Sequence, residues 1–194
     1  MRQAAVERKT KETDISIRLD LDGSGISKID TGIGFFDHML NGFSRHGFMD
    51  LEVSVKGDLE VDGHHTVEDT GIVLGQALKE AVGDKAGMVR YGSFILPMDD
   101  ALILCSVDFC GRPYFSYDLQ IAEERCGAFE TVLTKEFFYA VSYSAAINLH
   151  LKQISGENGH HIIEAAFKAF GKAVDAATRI DPRVQGVLST KGNL

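Results

Sequence analysis

The sequence predicts an α+β fold built by internal duplication, in which two sheet-plus-two-helix halves pack against each other. The first observation behind this is an HHxxE stretch that occurs twice. It runs His64-His65-Thr66-Val67-Glu68 and again His160-His161-Ile162-Ile163-Glu164, each followed by an apolar, small-residue-rich segment of helical period. The second is register. At the offset of 96 that relates the copies, Lys56 matches Lys152, Gly63 matches Gly159, Gly75 matches Gly171 and Ala77 matches Ala173. The third is element order: each half reads as about three strands, a helix, a strand and a helix. Two helices on one face of a sheet cannot be buried within such a half, whereas two halves bury theirs against each other.

The elements follow in order. Residues 4–10 and 14–21 alternate as strands, Asp20–Gly25 is a turn, and Ile26–Ile29 resumes an extended run. A helical apolar face begins at Phe35-Phe36 and reaches Phe43, with Gly47 where a helix would stop. Leu51–Val55 is a strand, and the first HHxxE helix runs to about Val82. Gly83-Asp84-Lys85-Ala86-Gly87 is the clearest linker between the halves. Beyond it lie strands near 93–97, 101–109 and 113–119, a loop over roughly 122–131, and a helix near Thr134–Ala146. A strand at 147–151 and the second HHxxE helix, to about Thr178, complete the half. The segment from Gly186 to Gly192 reads as a tail able to move.

Composition bounds the function. Of the 194 residues, 44% are apolar and 25% charged, ordinary for a globular chain. A net charge of −8 argues against a nucleic-acid or anionic-membrane binder, so an anionic substrate needs a local cluster of Arg and Lys. Cys105, Cys110 and Cys126 are odd in number and match no ligand spacing, which reads as reduced thiols. No apolar run approaches the ~20 residues of a membrane span, and the start of the chain lacks a signal-peptide core. A cytoplasmic location is expected.

The paired HHxxE stretches point to metal. Residues on a helix turn by about 100° each, so a histidine and a glutamate four apart share a face and can chelate one ion. His65 and His161 point about 60° beyond their glutamates and must serve another ion. Further ligands are expected at the start of the preceding helix in each half, His38 in the first and Glu136 in the second. Each chelating pair needs the outlying histidine of the other copy. One site is then His38, His65, His160 and Glu164; the other is His64, Glu68, Glu136 and His161. Mixed His/carboxylate sets without cysteine favour an octahedral ion such as Mn²⁺ or Fe²⁺ over structural zinc. His150 falls inside a strand pattern and reads as packing.

Five stretches carry a family resemblance: Arg8–Thr13 (RKTKET), Thr31–Leu40 (TGIGFFDHML), Asp62–Asp69 (DGHHTVED), Gly156–His161 (GENGHH) and Ser189–Gly192 (STKG). They closely resemble imidazoleglycerol-phosphate dehydratase, from about residue 5 to the end. The resemblance implies dehydration of imidazole glycerol phosphate to imidazole acetol phosphate in histidine biosynthesis. It implies four helices sandwiched between two mixed four-stranded sheets, in one dehydratase domain spanning 1–194. That domain would comprise pseudo-repeats at about 5–86 and 87–182 and a tail, 183–194. It further implies two Mn²⁺ per active site and a homo-oligomer of 24 subunits with intersubunit active sites. By motif, the eight residues above are the family's metal ligands, and His38, His64, Glu68 and His160 also meet substrate. Glu12 matches a catalytic acid/base that touches substrate, while His46, Arg90, Arg112, Lys168, Ser189 and Lys191 match further substrate contacts. Glu136 stands where many members carry His, and Thr190 replaces a common Ser. Arg forks and Lys charges suit phosphate oxygens, which gives the four cations a role in an acidic chain.

The chemistry this implies has a hydrogen on a carbon that no carbonyl acidifies. The substrate's imidazole, held as imidazolate between two metals, can expel the neighbouring hydroxyl to give a diazafulvene, whose conjugation acidifies the next carbon. Glu12 and Glu164 are the expected proton carriers, with Glu68 the duplicate of Glu164. A two-metal hydrolase and a non-enzymatic metal-binding shell are the alternatives. Glu12, His46, Arg90, Arg112 and Lys191 argue against the shell, which needs none of them.

Overall fold

The computed structural model describes residues 2–192. The first half runs β1 (Gln3–Lys9), β2 (Thr13–Asp20), β3 (Ser27–Asp30), α1 (Gly34–Gly47), β4 (Asp50–Gly57) and α2 (His64–Val82). Strict alternation buries Ile15, Ile17 and Leu19 of β2 and Leu51, Val53 and Val55 of β4 on one face. The strands order β1-β2-β4-β3, antiparallel except for the parallel pair β3–β4, which α1 connects.

The second half repeats the plan. It runs β5 (Tyr91–Met98), β6 (Ala101–Asp108), β7 (Tyr114–Asp118), β8 (Arg125–Cys126), β9 (Phe129–Glu130), α3 (Leu133–Ala145), β10 (Asn148–Ser155) and α4 (Gly159–Thr178). Its sheet orders β5-β6-β10-β7 with the same single parallel pair, β7–β10. The two-residue strands β8 and β9 form a small hairpin inside what reads from sequence as a loop. β10 runs four residues past its expected end, through an irregularity between Gln153 and Ser155. His150 faces outward on β10, its ring 5.4 Å from that of Tyr114.

α2 covers β1 and β2, α4 covers β5 and β6, and the helices pair across the halves, α1 with α4 and α2 with α3. The four helices therefore lie between the two mixed sheets, their seam filled by Phe36, Phe43, Phe137, Phe138, Phe167 and Phe170. Glycines set the closeness of the helix pairs. A Cβ on Gly47 would sit 2.9 Å from the Gly171 carbonyl oxygen, and one on Gly171 would collide with the Phe43 carbonyl. Gly75 makes the duplicate approach, its virtual Cβ 2.7 Å from the Val141 carbonyl oxygen and 2.9 Å from the Ala145 nitrogen. Gly75 and Gly171 are 96 apart, whereas Phe43 and Val141, like Gly47 and Ala145, are 98 apart. Both short helices also end on a left-handed residue, Phe48 and Ala146, again 98 apart. On that spacing His38 is the counterpart of Glu136.

The first part of the expected tail is held to the body of the protein. Gly87 N–H donates to the Gly186 carbonyl at 2.7 Å, and Arg90 Nη1 donates to the Leu188 carbonyl at 2.8 Å. The tail's final two residues, Asn193 and Leu194, lie outside the described chain. Among the described residues no helix is long and apolar enough to cross a membrane. All three cysteines are free thiols, and burial raises the Cys105 thiol far above its ordinary range.

Candidate metal centre

The α1–α4 crossing sets the starts of those helices side by side, and three expected ligands meet there. Ligand atoms of His38, His160 and Glu164 all lie within 4.8 Å of one another. His160 Nε2 is 3.2 Å from Glu164 Oε2, and His38 Nε2 is 3.6 Å from Glu164 Oε1. The Glu164 side chain is only 8% exposed, while those of His38 and His160 are 54% and 47% exposed. A buried carboxylate thus backs two imidazoles that open outward. Burial alone raises the Glu164 pKa. The hydrogen bond and charge of Lys168, whose Nζ lies 2.7 Å from Oε1, outweigh it with help from His38 and His160, so the group sits below its ordinary range.

The other copy is more open. His64 Nε2 lies 3.5 Å from Glu68 Oε2, the contact expected of positions four apart. Glu136, in the first turn of α3, does not close on them as tightly as His38 closes on its partners. Glu136 and Glu68 do surround one exposed patch. There the Tyr139 hydroxyl is shifted upward, first by Tyr143, 4.3 Å away between ring centroids, and then by burial and the two carboxylates.

His65 and His161 turn away from both clusters, as their helix positions demand. His65 Nδ1 lies 2.9 Å from Asp58 Oδ2, and its Nε2 is 3.9 Å from Glu12 Oε1. His161 Nδ1 lies 2.7 Å from Asp100 Oδ1, and its Nε2 is 3.4 Å from Asp99 Oδ2. Hydrogen bonds to these aspartates raise the pKa of each imidazole. Asp100 itself sits well below the carboxylate range, because the Glu157 and Asn158 N–H groups donate to it before His161 is counted. Within one chain neither outlying histidine joins a three-ligand group among the described residues.

The expected phosphate and substrate contacts divide among three places. Arg90, Arg112, Ser189 and Lys191 line one open cavity of about 720 Å³ beneath the tail. Arg90 is anchored there, its Nε and Nη2 on Asp108 at 2.7 and 3.0 Å and its Nη1 on the Leu188 carbonyl. Lys168 and His46 lie elsewhere. Lys168 is beside Glu164, and His46 shares a separate cavity with Arg45, Phe48, Phe94 and Lys172. Glu12 is exposed at the β1–β2 turn, where Thr10 Oγ1 accepts from the N–H groups of Glu12 and Thr13, each at 3.0 Å. Asp58, Asp99 and Asp100 have no counterpart in the sequence reading. Their weak signal is position, since Asp99 and Asp100 turn the β5–β6 hairpin as Glu12 turns β1–β2.

Fold and side chains together define a duplicated α+β protein with an imidazole–carboxylate group, able to hold a metal ion, at paired helix starts. Comparison with known proteins narrows this class. The family model described as imidazoleglycerol-phosphate dehydratase matches residues 31–174. The chain is 63% identical over 193 residues to the imidazoleglycerol-phosphate dehydratase of Lachnoclostridium phytofermentans, covering 100% of this chain and 98% of that protein. It is 58% identical to that of Acetivibrio thermocellus, covering 100% and 99%. The crystal structure of the Staphylococcus aureus dehydratase matches with a TM-score of 0.84 at 40% identity, covering 92% of this chain and 99% of that one. A Pyrococcus furiosus structure in complex with (S)-C348 gives the same score at 41%, covering 97% and 100%.

The chain belongs to the imidazoleglycerol-phosphate dehydratase family. It is a hydro-lyase of histidine biosynthesis that dehydrates imidazole glycerol phosphate, which sets aside the hydrolase and metal-shell alternatives.

Proposed function

We propose that this dehydration runs at two manganese sites shared between neighbouring subunits of a cytoplasmic, 24-subunit homo-oligomer. His38, His160 and Glu164 of one subunit hold one ion with a neighbour's His65. His64, Glu68 and Glu136 hold the other with a neighbour's His161. The observation that carries this is the split within one chain: a three-ligand cluster on one side, and two outlying histidines that each present Nε2 away from it. The donor set fits a hard or borderline divalent ion, being imidazole and carboxylate without thiolate. Bound there, the ions would supply Lewis-acid polarisation of the substrate's imidazole ring.

The chain's own residues do the rest. Lys168 keeps Glu164 ionised, which suits that carboxylate to holding a cation and makes it a poor base. Glu12, exposed at a turn and 3.9 Å from His65, is the better-placed proton carrier. Arg112, Ser189 and Lys191, on a floor fixed by Arg90, supply donors for the phosphate oxygens. Glu12→Gln tests the assignment in Mn²⁺-loaded protein. Turnover should fall about 10²–10⁴-fold, the ordinary worth of a positioned acid/base, with metal content unchanged. A variant that keeps full turnover, or loses only its metal, contradicts the role.

A further inference from the structure

Two carboxylates outside the proposed ligand set hold the two outlying histidines in the same manner. Asp58, in the loop after β4, places Oδ2 2.9 Å and Oδ1 3.2 Å from His65 Nδ1. Asp100, in the β5–β6 turn, places Oδ1 2.7 Å from His161 Nδ1. These are not duplicates of each other. At the offset of 96 Asp58 falls on Ile154, and Asp100 belongs to a hairpin whose counterpart turns at Glu12. The same contact on the same ring nitrogen is reached from two unrelated positions, so duplication alone does not supply it.

An ionised carboxylate only accepts hydrogen bonds, so Nδ1 must carry the proton. In the neutral ring that leaves the lone pair on Nε2, the nitrogen each histidine turns outward toward Glu12 or Asp99. We infer that Asp58 and Asp100 are positioning residues, which lock the tautomer and ring direction of His65 and His161 so that both present Nε2 as a ready ligand. The inference rests on the metal reading above for what those nitrogens ligate, but not for the tautomer itself. Such outer carboxylates orient a ligating imidazole and raise its basicity.

The two differ in one respect that makes the idea testable. The second oxygen of Asp100 is engaged, accepting from Glu157 N–H at 2.6 Å and Asn158 N–H at 3.0 Å. In Asp100→Asn the amide oxygen is claimed by those two donors, which turns the NH₂ onto His161 Nδ1. That nitrogen must then accept, the ring proton moves to Nε2, and the ligand lone pair is lost. The Asp58 side chain has His65 as its only hydrogen-bond partner among the described residues, so Asp58→Asn is free to keep its oxygen on Nδ1–H.

The experiment labels the full chain with ¹⁵N-histidine, strips it of metal, and reads tautomers from nitrogen shifts, with His161→Gln and His65→Gln assigning the signals. Wild type and Asp58→Asn should show Nδ1–H at both rings, and Asp100→Asn should show Nε2–H at His161. Asp58→Ala, which leaves His65 without an acceptor, should show a mixture of both forms there. On titration with Mn²⁺, Asp100→Asn should weaken one class of site about 10–100-fold, and Asp58→Asn much less. An unchanged His161 tautomer in Asp100→Asn, an undisturbed His65 in Asp58→Ala, or equal losses of affinity in the two asparagine variants overturns the inference. Wild-type protein that takes up no Mn²⁺ while the tautomers shift as stated supports the positioning and sinks the metal reading instead.

Discussion

His46 shows how a single side chain inherits its properties from packing. It lies near the end of α1, where burial first and then the charges of Lys168, Lys172 and Arg45 lower its pKa, with only Glu164 opposing them. The sign of the resulting pH dependence follows directly. The unfolded chain binds a proton near pH 6.5 and the folded chain only below it, so stability is full above about 6.5. It is lost as pH falls from there through the depressed folded value. His65 and His161, whose pKa values are raised, act in the opposite sense, so the readout is a difference: on going from about pH 7.5 to 5 the urea midpoint of metal-free wild type should fall further, or rise less, than that of His46→Gln. Equal slopes in the two proteins would show that His46 is as free to protonate when folded as when unfolded. The pairing of His64 with Glu68 and of His160 with Glu164 was legible because it rests on helical spacing alone. Asp58 and Asp100 were not, since each acts through a turn that brings it back onto a histidine from 7 or 61 positions away.

At the scale of elements, the two long helices and the alternating strands other than β10 were readable to within a residue or two, because one periodicity decides each of them. Where two-residue pairing decides, as in β8–β9, no such period exists to read. The glycine positions were visible as duplicates, but their reason belongs to tertiary packing. Gly171 lets the Phe43 carbonyl and the Gly47 amide approach α4, and that approach holds His38 beside His160 and Glu164. Gly171→Ala must push α1 off α4, at a cost of about 1–3 kcal/mol. Thermal unfolding of metal-free protein should fall by roughly 2–4 °C for each kcal/mol. Metal affinity at the His38 cluster should fall with it. A variant with wild-type melting and affinity would mean that the crossing relaxes without moving the cluster.

For the whole molecule, the described residues of one chain bring together one three-residue group, His38, His160 and Glu164, and on the proposed reading the outlying histidines complete such groups across subunits. The duplication accounts for the arrangement: α1 pairs with α4 and α2 with α3, so each pair carries its own histidine–glutamate contact and turns one histidine outward. The most direct test of sharing between subunits is complementation. His160→Ala removes a ligand from the three-residue cluster, and His65→Ala removes the histidine that a neighbour would lend to it. Each variant alone should be inactive with Mn²⁺ present. When the two are mixed, dissociated with chelator and reassembled with Mn²⁺, some interfaces join the intact cluster of the His65→Ala chain to the intact His65 of the His160→Ala chain. Those interfaces should restore a clear fraction of wild-type dehydration, whereas either variant treated alone should restore none. Mixed assemblies that form fully and stay inactive would contradict the account.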